Sequence, residues 1–285
     1  MNKTLLFTTL ALIAFAANSV LCRLALAGHT IDATSFTVIR LFSGAAMLML
    51  ILALRWSGTT PAAQGSWGAA MMLFVYAAAF SFAYVSLDTG TGALILFAAV
   101  QITMILMAII SGKRPHRLEW AGMAIAFAGF VYLVLPGVSA PSATGLLLMI
   151  LAGIAWGMYT IRGHASQSPL ADTAWNFLRA LPFVLLLAML TFHQAEFSPI
   201  GVGYAVLSGA IASGLGYAIW YVALSGLSST QAAVAQLLVP VLAAGGGSLF
   251  VSEPVTWRLA ISSLLILGGI LIVTLGSKRT GQPLP

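Results

Sequence analysis

Charge is what this sequence has least of. Asp, Glu, Lys and Arg make up only 6% of its 285 residues, against 60% apolar ones. A water-soluble domain carries roughly 25% charged residues, so there are too few ionic groups here to cover a surface facing water. The mean hydropathy is +1.03, and the apolar residues come in long runs. A β-barrel would instead show short alternating segments. The chain is therefore expected to be an all-α membrane protein. One cysteine, Cys22, excludes an intramolecular disulfide and a cysteine-built metal site. No acid falls within an apolar run. Asp32, Asp88, Glu119, Asp172, Glu196 and Glu253 all lie at run ends or in loops, as do His29, His116, His164 and His193. This distribution argues against an intramembrane enzyme. A serine protease needs a base beside its serine, aspartyl chemistry needs two carboxylates within the bilayer, and a metal site needs clustered ligands. No cofactor is implied. The net charge of +6 is that of cytoplasmic loops in a membrane protein, not of a nucleic-acid surface.

What is present is a series of spans. A membrane helix needs about 20 mostly apolar residues, and ten segments qualify: 4–26, 33–54, 67–87, 90–111, 118–136, 144–163, 172–191, 199–224, 228–251 and 257–276. Turn residues separate them, among them Gly28-His29, Gly58 to Pro61, Asp88 to Gly92, Lys113 to Arg117, Pro136-Gly137 and Ser225 to Ser229. No linker is long enough to hold a soluble domain. The first segment is basic and then apolar, like a signal peptide, but it aligns with a later helix and is expected to be retained. Counting loops alternately puts Lys3, Arg55, Lys113, Arg114, Arg117, Arg162, Lys278 and Arg279 on one side and Arg23 and Arg258 on the other. The positive-inside rule then places both termini in the cytoplasm, with the chain in the inner membrane.

The spans repeat. Tyr217, Trp220, Tyr221 and Leu224 share a helix face at i, i+3, i+4, i+7. Shifted back by 137 positions, Tyr217 falls on Phe80, Tyr221 on Tyr84, Leu224 on Leu87 and Trp257 on Trp120. An offset of 139 aligns Arg162 with Arg23 and Arg179 with Arg40. Two five-helix units are expected, 1–140 and 141–285. Five is odd, so the second unit must sit inverted relative to the first. Transporters use this architecture recurrently, and some channels use it too.

The pattern Tyr221-x-x-Leu224, Pro240, Glu253-Pro254, Trp257, Gly268-Gly269, with its partial echo Tyr84-x-x-Leu87, Glu119-Trp120, Gly122, Gly129, resembles the drug/metabolite transporter superfamily and its EamA-type members. The resemblance covers residues 4 to 276. Two departures stand out: Thr103 replaces the proline that matches Pro240, and His116 falls where Glu253 sits in the other half. The resemblance implies export of amino acids and related small metabolites by alternating access. It also implies a central cavity among helices one, three, four, six, eight and nine, with helices two, five, seven and ten peripheral. The aromatic lining is similar to the YddG-type exporters of aromatic and neutral amino acids. The partners implied are a small-molecule substrate and the lipid bilayer.

Substrate sites in such folds lie at mid-bilayer between the repeats. Tyr76, Phe80 and Tyr84 share one helix face. Their counterparts Tyr217 and Tyr221 share another. A small amphiphilic ligand suits such a lining, while helix packing or an interfacial belt are the alternatives for the same rings. Trp156 and Tyr159 follow Gly153-x-x-x-Gly157, which allows close backbone approach, and their rings face either the pore or a neighbouring helix. Asn18, Gln101, Thr103 and Gln236 are polar within apolar runs, so each must find a partner in substrate, water or another helix. Asn18 and Gln101 are the best polar candidates for the ammonium or carboxylate of an amino acid. Pro240 is expected to kink its helix, and Gly214 and Gly216 to let theirs bend. Arg40 and Arg179, about two turns into their helices, are expected to snorkel or to cap carbonyls.

With no acid at membrane depth, transport is expected to be facilitative, as uniport or exchange. A neutral-solute channel and a proton-coupled exporter are the alternatives.

Overall fold

The computed structural model describes residues 3–55, 64–112, 115–135, 140–163, 166–191, 193, 195–227 and 229–279. The turn at Gly58 to Pro61, the loop charges Lys113 and Arg114, the Pro136-Gly137 break and His164 lie outside the described residues. Among the described residues, ten helices are long and apolar enough to cross a membrane. They are α1 (Lys3–Ala27), α2 (Ala33–Arg55), α3 (Trp67–Tyr84), α4 (Thr89–Ile110), α5 (Arg117–Val134), α6 (Ala143–Gly163), α7 (Pro169–Leu190), α8 (Pro199–Leu224), α9 (Ser229–Gln236 continued by Leu238–Phe250) and α10 (Trp257–Arg279). The chain is an all-α, multi-pass membrane protein.

Short polar side chains set where the helices begin. Ser66 accepts from the Ala69 amide and Ser198 from that of Gly201, each meeting one of the four unpaired N–H groups of a first turn. His116 and Glu119 form a reciprocal capping box at α5. Pro169 and Pro199 open α7 and α8, where a missing N–H costs nothing.

Two helices depart from regularity. In α8, residues Leu207–Leu215 form a π-helical stretch with i→i+5 bonding. In α9 the helix breaks at Leu237, whose amide bonds back to Val234 O at 3.1 Å in a tight turn. Pro240 explains the break: it has no N–H for the Gln236 carbonyl and its ring crowds that oxygen. The irregularity expected from Pro240 is thus a one-residue break at Leu237, which keeps right-handed helical dihedrals.

The helix contacts fall into matched sets. Helix α3 packs on α6 and α7, and α8 packs on α1 and α2. Helix α4 packs on α6, and α9 on α1. Helices α2 and α7, α4 and α9, and α5 and α10 pair with one another. Lipid offers no hydrophobic force between helices, so close van der Waals packing must hold them. Gly153 and Gly157 illustrate this. A Cβ at Gly157 would sit 2.9 Å from that of Thr103, and one at Gly153 would collide with Ala99 on α4. Large apolar side chains such as Trp257, Leu249 and Met189 point outward as the lipid-facing band.

Candidate functional site

The centre of the bundle holds a cavity of about 820 Å³. Its deep wall is aromatic. The Trp156 ring lies 4.7 Å from Tyr76, 5.2 Å from Tyr159 and 5.5 Å from Tyr217, stacked on the last two. Phe80 meets Tyr76 at 5.5 Å, and Phe15 meets both Tyr217 and Trp220. Four helices, α1, α3, α6 and α8, converge through these rings. Each ring presents its neighbours with a face or an edge, so the cluster is a rigid wall of low conformational entropy.

Polar groups break the wall at defined places. Asn18 is clamped by α8: Ser208 Oγ donates to its Oδ1 at 2.7 Å, and its Nδ2 donates to Ser213 Oγ at 3.1 Å. Five residues of α-helix would turn these serines about 140° apart. The π-helical stretch, bonded i→i+5, brings both to one face. The amide of Asn18 is therefore committed to interhelical bonding. Gln101 also lines the cavity, is buried, and has no hydrogen-bond partner among the described residues. Gln236 lines it at the end of the first piece of α9. Toward the mouth, Thr173 joins Tyr221 at 2.6 Å and accepts from Tyr159 at 3.3 Å, while Asn176 donates to Tyr159 at 3.4 Å and accepts from the Ser66 amide at 2.9 Å.

Of the residues singled out from the sequence, Asn18, Tyr76, Phe80, Gln101, Trp156, Tyr159, Tyr217, Tyr221 and Gln236 all line this one cavity. Tyr84 lies outside the lining. It is fully buried, its hydroxyl donates to Thr89 O at 3.2 Å, and its ring edges onto Phe80. Gly214 approaches Met47 on α2 and Gly216 approaches Ala14 on α1, with a Cβ 3.0 Å from each neighbour; both glycines serve close packing at the π-helical stretch.

Two expectations are corrected. Arg40 does not snorkel: it is 2% exposed, inside the bundle, and its Nη2 donates to the Tyr76 hydroxyl at 3.1 Å. Two turns of helix leave the guanidinium too deep to reach water, so it turns onto the aromatic wall. Helices seven and ten are not purely peripheral, since Thr173 and Asn176 of α7 and Thr274 of α10 reach the lining. Arg179 does cap a carbonyl, that of Gln64. Sequence reading also passed over Phe15, Phe97 and Trp220 as site residues. The i, i+3, i+4 run of α8 contained the signal for Trp220; nothing local marked Phe15 or Phe97.

Among the described residues the cavity lining reaches one end of the bundle. It runs out to Gln64, Gly65, Ser66, Arg162, Ser166 and Leu227. These lie at the helix ends near the N-terminus, where Gly226 packs against Thr4. The opposite end is closed. Arg23 Nε donates to Glu253 Oε1 at 2.7 Å, and its Nη2 lies 3.5 Å from Asp88. Arg23 Nη1 donates to the carbonyls of Tyr84 and Val85. Glu253 Oε2 accepts from the Thr89 amide at 2.7 Å. One arginine thus ties the end of α1 to the α3–α4 and α9–α10 connections. A second strap joins Asp32 to the Glu196 backbone and Thr30 O to the Ser198 amide.

Comparison with known proteins agrees with this architecture. Residues 143–275 match the EamA-like transporter family. Across 273 residues the chain is 54% identical to an uncharacterised protein of Pseudomonas aeruginosa, PA1977, covering 95% of this chain and 94% of that one. It is 29% identical to the threonine/homoserine exporter RhtA of Escherichia coli over 181 residues, 61% of this chain and 58% of RhtA. A crystallographically solved protein shares the fold with a TM-score of 0.68 at 19% identity, covering 95% of this chain and 97% of its own. With ten spans around a closed-ended cavity and the EamA match, this chain belongs to the EamA-type transporters of the drug/metabolite transporter superfamily and is not an enzyme.

Proposed function

We propose that this protein is an inner-membrane carrier that exports amino acids or related small metabolites by alternating access, facilitatively, as uniport or exchange. The observation that carries this reading is the blind cavity: open at one end, sealed at the other by the Arg23–Glu253–Asp88 cluster. With both termini in the cytoplasm, the described conformation is inward-open and the cluster is the outer gate. The matched contact sets support two inverted units, 1–140 and 141–285. Exchanging the conformations of the units would open Arg23's end and close the other. Tyr76, Phe80, Trp156, Tyr159, Tyr217 and Tyr221 would form the solute's walls, with Gln101 and Gln236 as hydrogen-bonding groups. Asn18 would hold α8 in register, and Pro240, Gly214 and Gly216 would be the points about which α8 and α9 bend. The lining suits a neutral or aromatic amino acid, and likeness to RhtA supports the amino-acid class.

Counterflow in proteoliposomes tests this. The purified chain is expected to give saturable counterflow of one amino-acid class at a rate indifferent to an imposed pH gradient. Acceleration by the gradient would replace the facilitative mechanism with proton coupling. Flux without saturation or counterflow would make the protein a channel.

A further inference from the structure

Arg40 is a buried charge behind the cavity wall that no carboxylate among the described residues answers. Among the described residues the ion pairs are Arg23–Asp88 and Arg23–Glu253. The titratable groups facing it are Tyr76, Tyr217 and Cys22. Its guanidinium carbon lies 4.8 Å from the Phe80 ring centre and 5.4 Å from that of Tyr76. Its Nη1 is buried with no acceptor among the described residues. An uncompensated cation at membrane depth is costly to maintain and marks a functional position.

The hydrogen bond to Tyr76 has a directional consequence. A guanidinium only donates, so the Tyr76 oxygen accepts from Arg40 Nη2 and its own proton is turned elsewhere. No other described group takes that proton, and the Tyr76 side chain lines the cavity. The hydroxyl is thereby fixed as a donor toward the solute, polarised by the cation behind it. The one carboxylate in the lining, Asp172, stands at the mouth beside the Gly65 amide.

We propose that the deep end of the cavity is an anion subsite: the Tyr76 hydroxyl receives the carboxylate of the transported solute, and Arg40 behind it supplies the counter-charge. The subsite rests on the reading of this cavity as the transport site and names the group recognised there. Arg40 is a positioning residue, acting through Tyr76 and through its field. Among the described residues no acid lies beside this subsite to require an α-ammonium, so the carboxylate is the group that selects.

The test uses the full chain in proteoliposomes with matched pairs, L-threonine against L-threoninamide and L-phenylalanine against L-phenylalaninamide, competing in counterflow. The wild type is expected to favour the carboxylate member by roughly tenfold to hundredfold, the range of a hydrogen bond to a charged group. Arg40→Met should bring that ratio toward one while folding normally, because it replaces a buried charge by an apolar side chain of similar length. Arg40→Lys should keep part of the ratio, and Tyr76→Phe should lower it. Carboxylates should raise the Tm of the wild type and leave that of Arg40→Met unmoved. A ratio preserved in Arg40→Met, with only Tm changed, would make Arg40 structural and overturn the subsite. Equal use of both members by the wild type would overturn the subsite and leave transport standing. No counterflow of any member would overturn the transport reading and the subsite with it.

Discussion

The two ends of the bundle are held by different physics. At the closed end, one arginine gathers two carboxylates and two carbonyls from two segments, 84–88 and 253, that are remote in sequence from it and from each other. At the open end, Asp172 to the Gly65 amide and Asn176 to the Ser66 amide tie the start of α3 to α7, and the Tyr159–Thr173–Tyr221 hydroxyl chain ties α6, α7 and α8. Among the described residues no ion pair spans this end. A seal made of a few ion pairs can be broken and remade at small net cost, whereas the aromatic wall between the two ends is packed and stays whole. On the proposed transport reading, the contrast puts movement at the ends and recognition in the middle.

The largest expected effect comes from breaking the closed end. Arg23→Ala leaves Glu253 partly buried with only the Thr89 amide, a loss of about 2–3 kcal/mol. Glu253→Gln should act in the same direction. The protein carries its own reporter, because Cys22 is its single cysteine and is fully buried beside Arg23. On the proposed orientation, a membrane-impermeant maleimide added from outside should label Cys22 slowly in the wild type and manyfold faster in either variant. Unchanged labelling would show that the cluster is not what seals this end.

Next in size is a pair of substitutions that separates wall from scaffold. Asn18→Leu strands the hydroxyls of Ser208 and Ser213 and should destabilise the protein by about 1–3 kcal/mol. Gln101→Leu removes no protein hydrogen bond. It should leave stability within about 0.5 kcal/mol of wild type and raise KM for the transported solute. Thermal unfolding and counterflow kinetics read the two. If Gln101→Leu leaves KM unmoved, Gln101 is not a solute contact.

The smallest effect sharpens the comparison within the closed end. Burial, and then the neighbouring Glu253, push the Asp88 carboxyl above its ordinary value, with Arg23 opposing them. A carboxyl raised on folding binds its proton more readily in the native state. Folding therefore gains stability as pH falls through the raised native value, down to the unfolded value of about 3.9. Asp88→Asn should abolish that gain in acid-side unfolding curves. Since the Asp88 side chain is 62% exposed, its loss should alter stability at neutral pH by less than about 0.5 kcal/mol. A large neutral-pH effect would mean that Asp88 is as integral to the seal as Glu253.

Much of this was legible from residue order. The ten spans follow from apolar run length, since the bilayer fixes how many residues a helix needs. The aromatic lining was legible because Tyr76 with Phe80 and Tyr217 with Tyr221 share helix faces. Tyr84 obeyed the same spacing and still left the cavity: α4 passes close enough at Gly92 to take its ring, and Thr89 O takes its hydroxyl. Periodicity names a face of a helix but not the neighbour that covers it. The π-helical stretch was equally invisible, because its cause is a partner 190 residues away: Asn18 needs Ser208 and Ser213 together.

By itself, the sequence determined the solvent, the number of crossings and the stock of rings and amides available to a site. These depend on local composition and on the period of one helix. The tertiary structure decided which end is closed, which amide is already engaged and where Arg40 points. Each of those is a pairing between groups far apart in the chain, and only packing brings such groups within hydrogen-bonding distance.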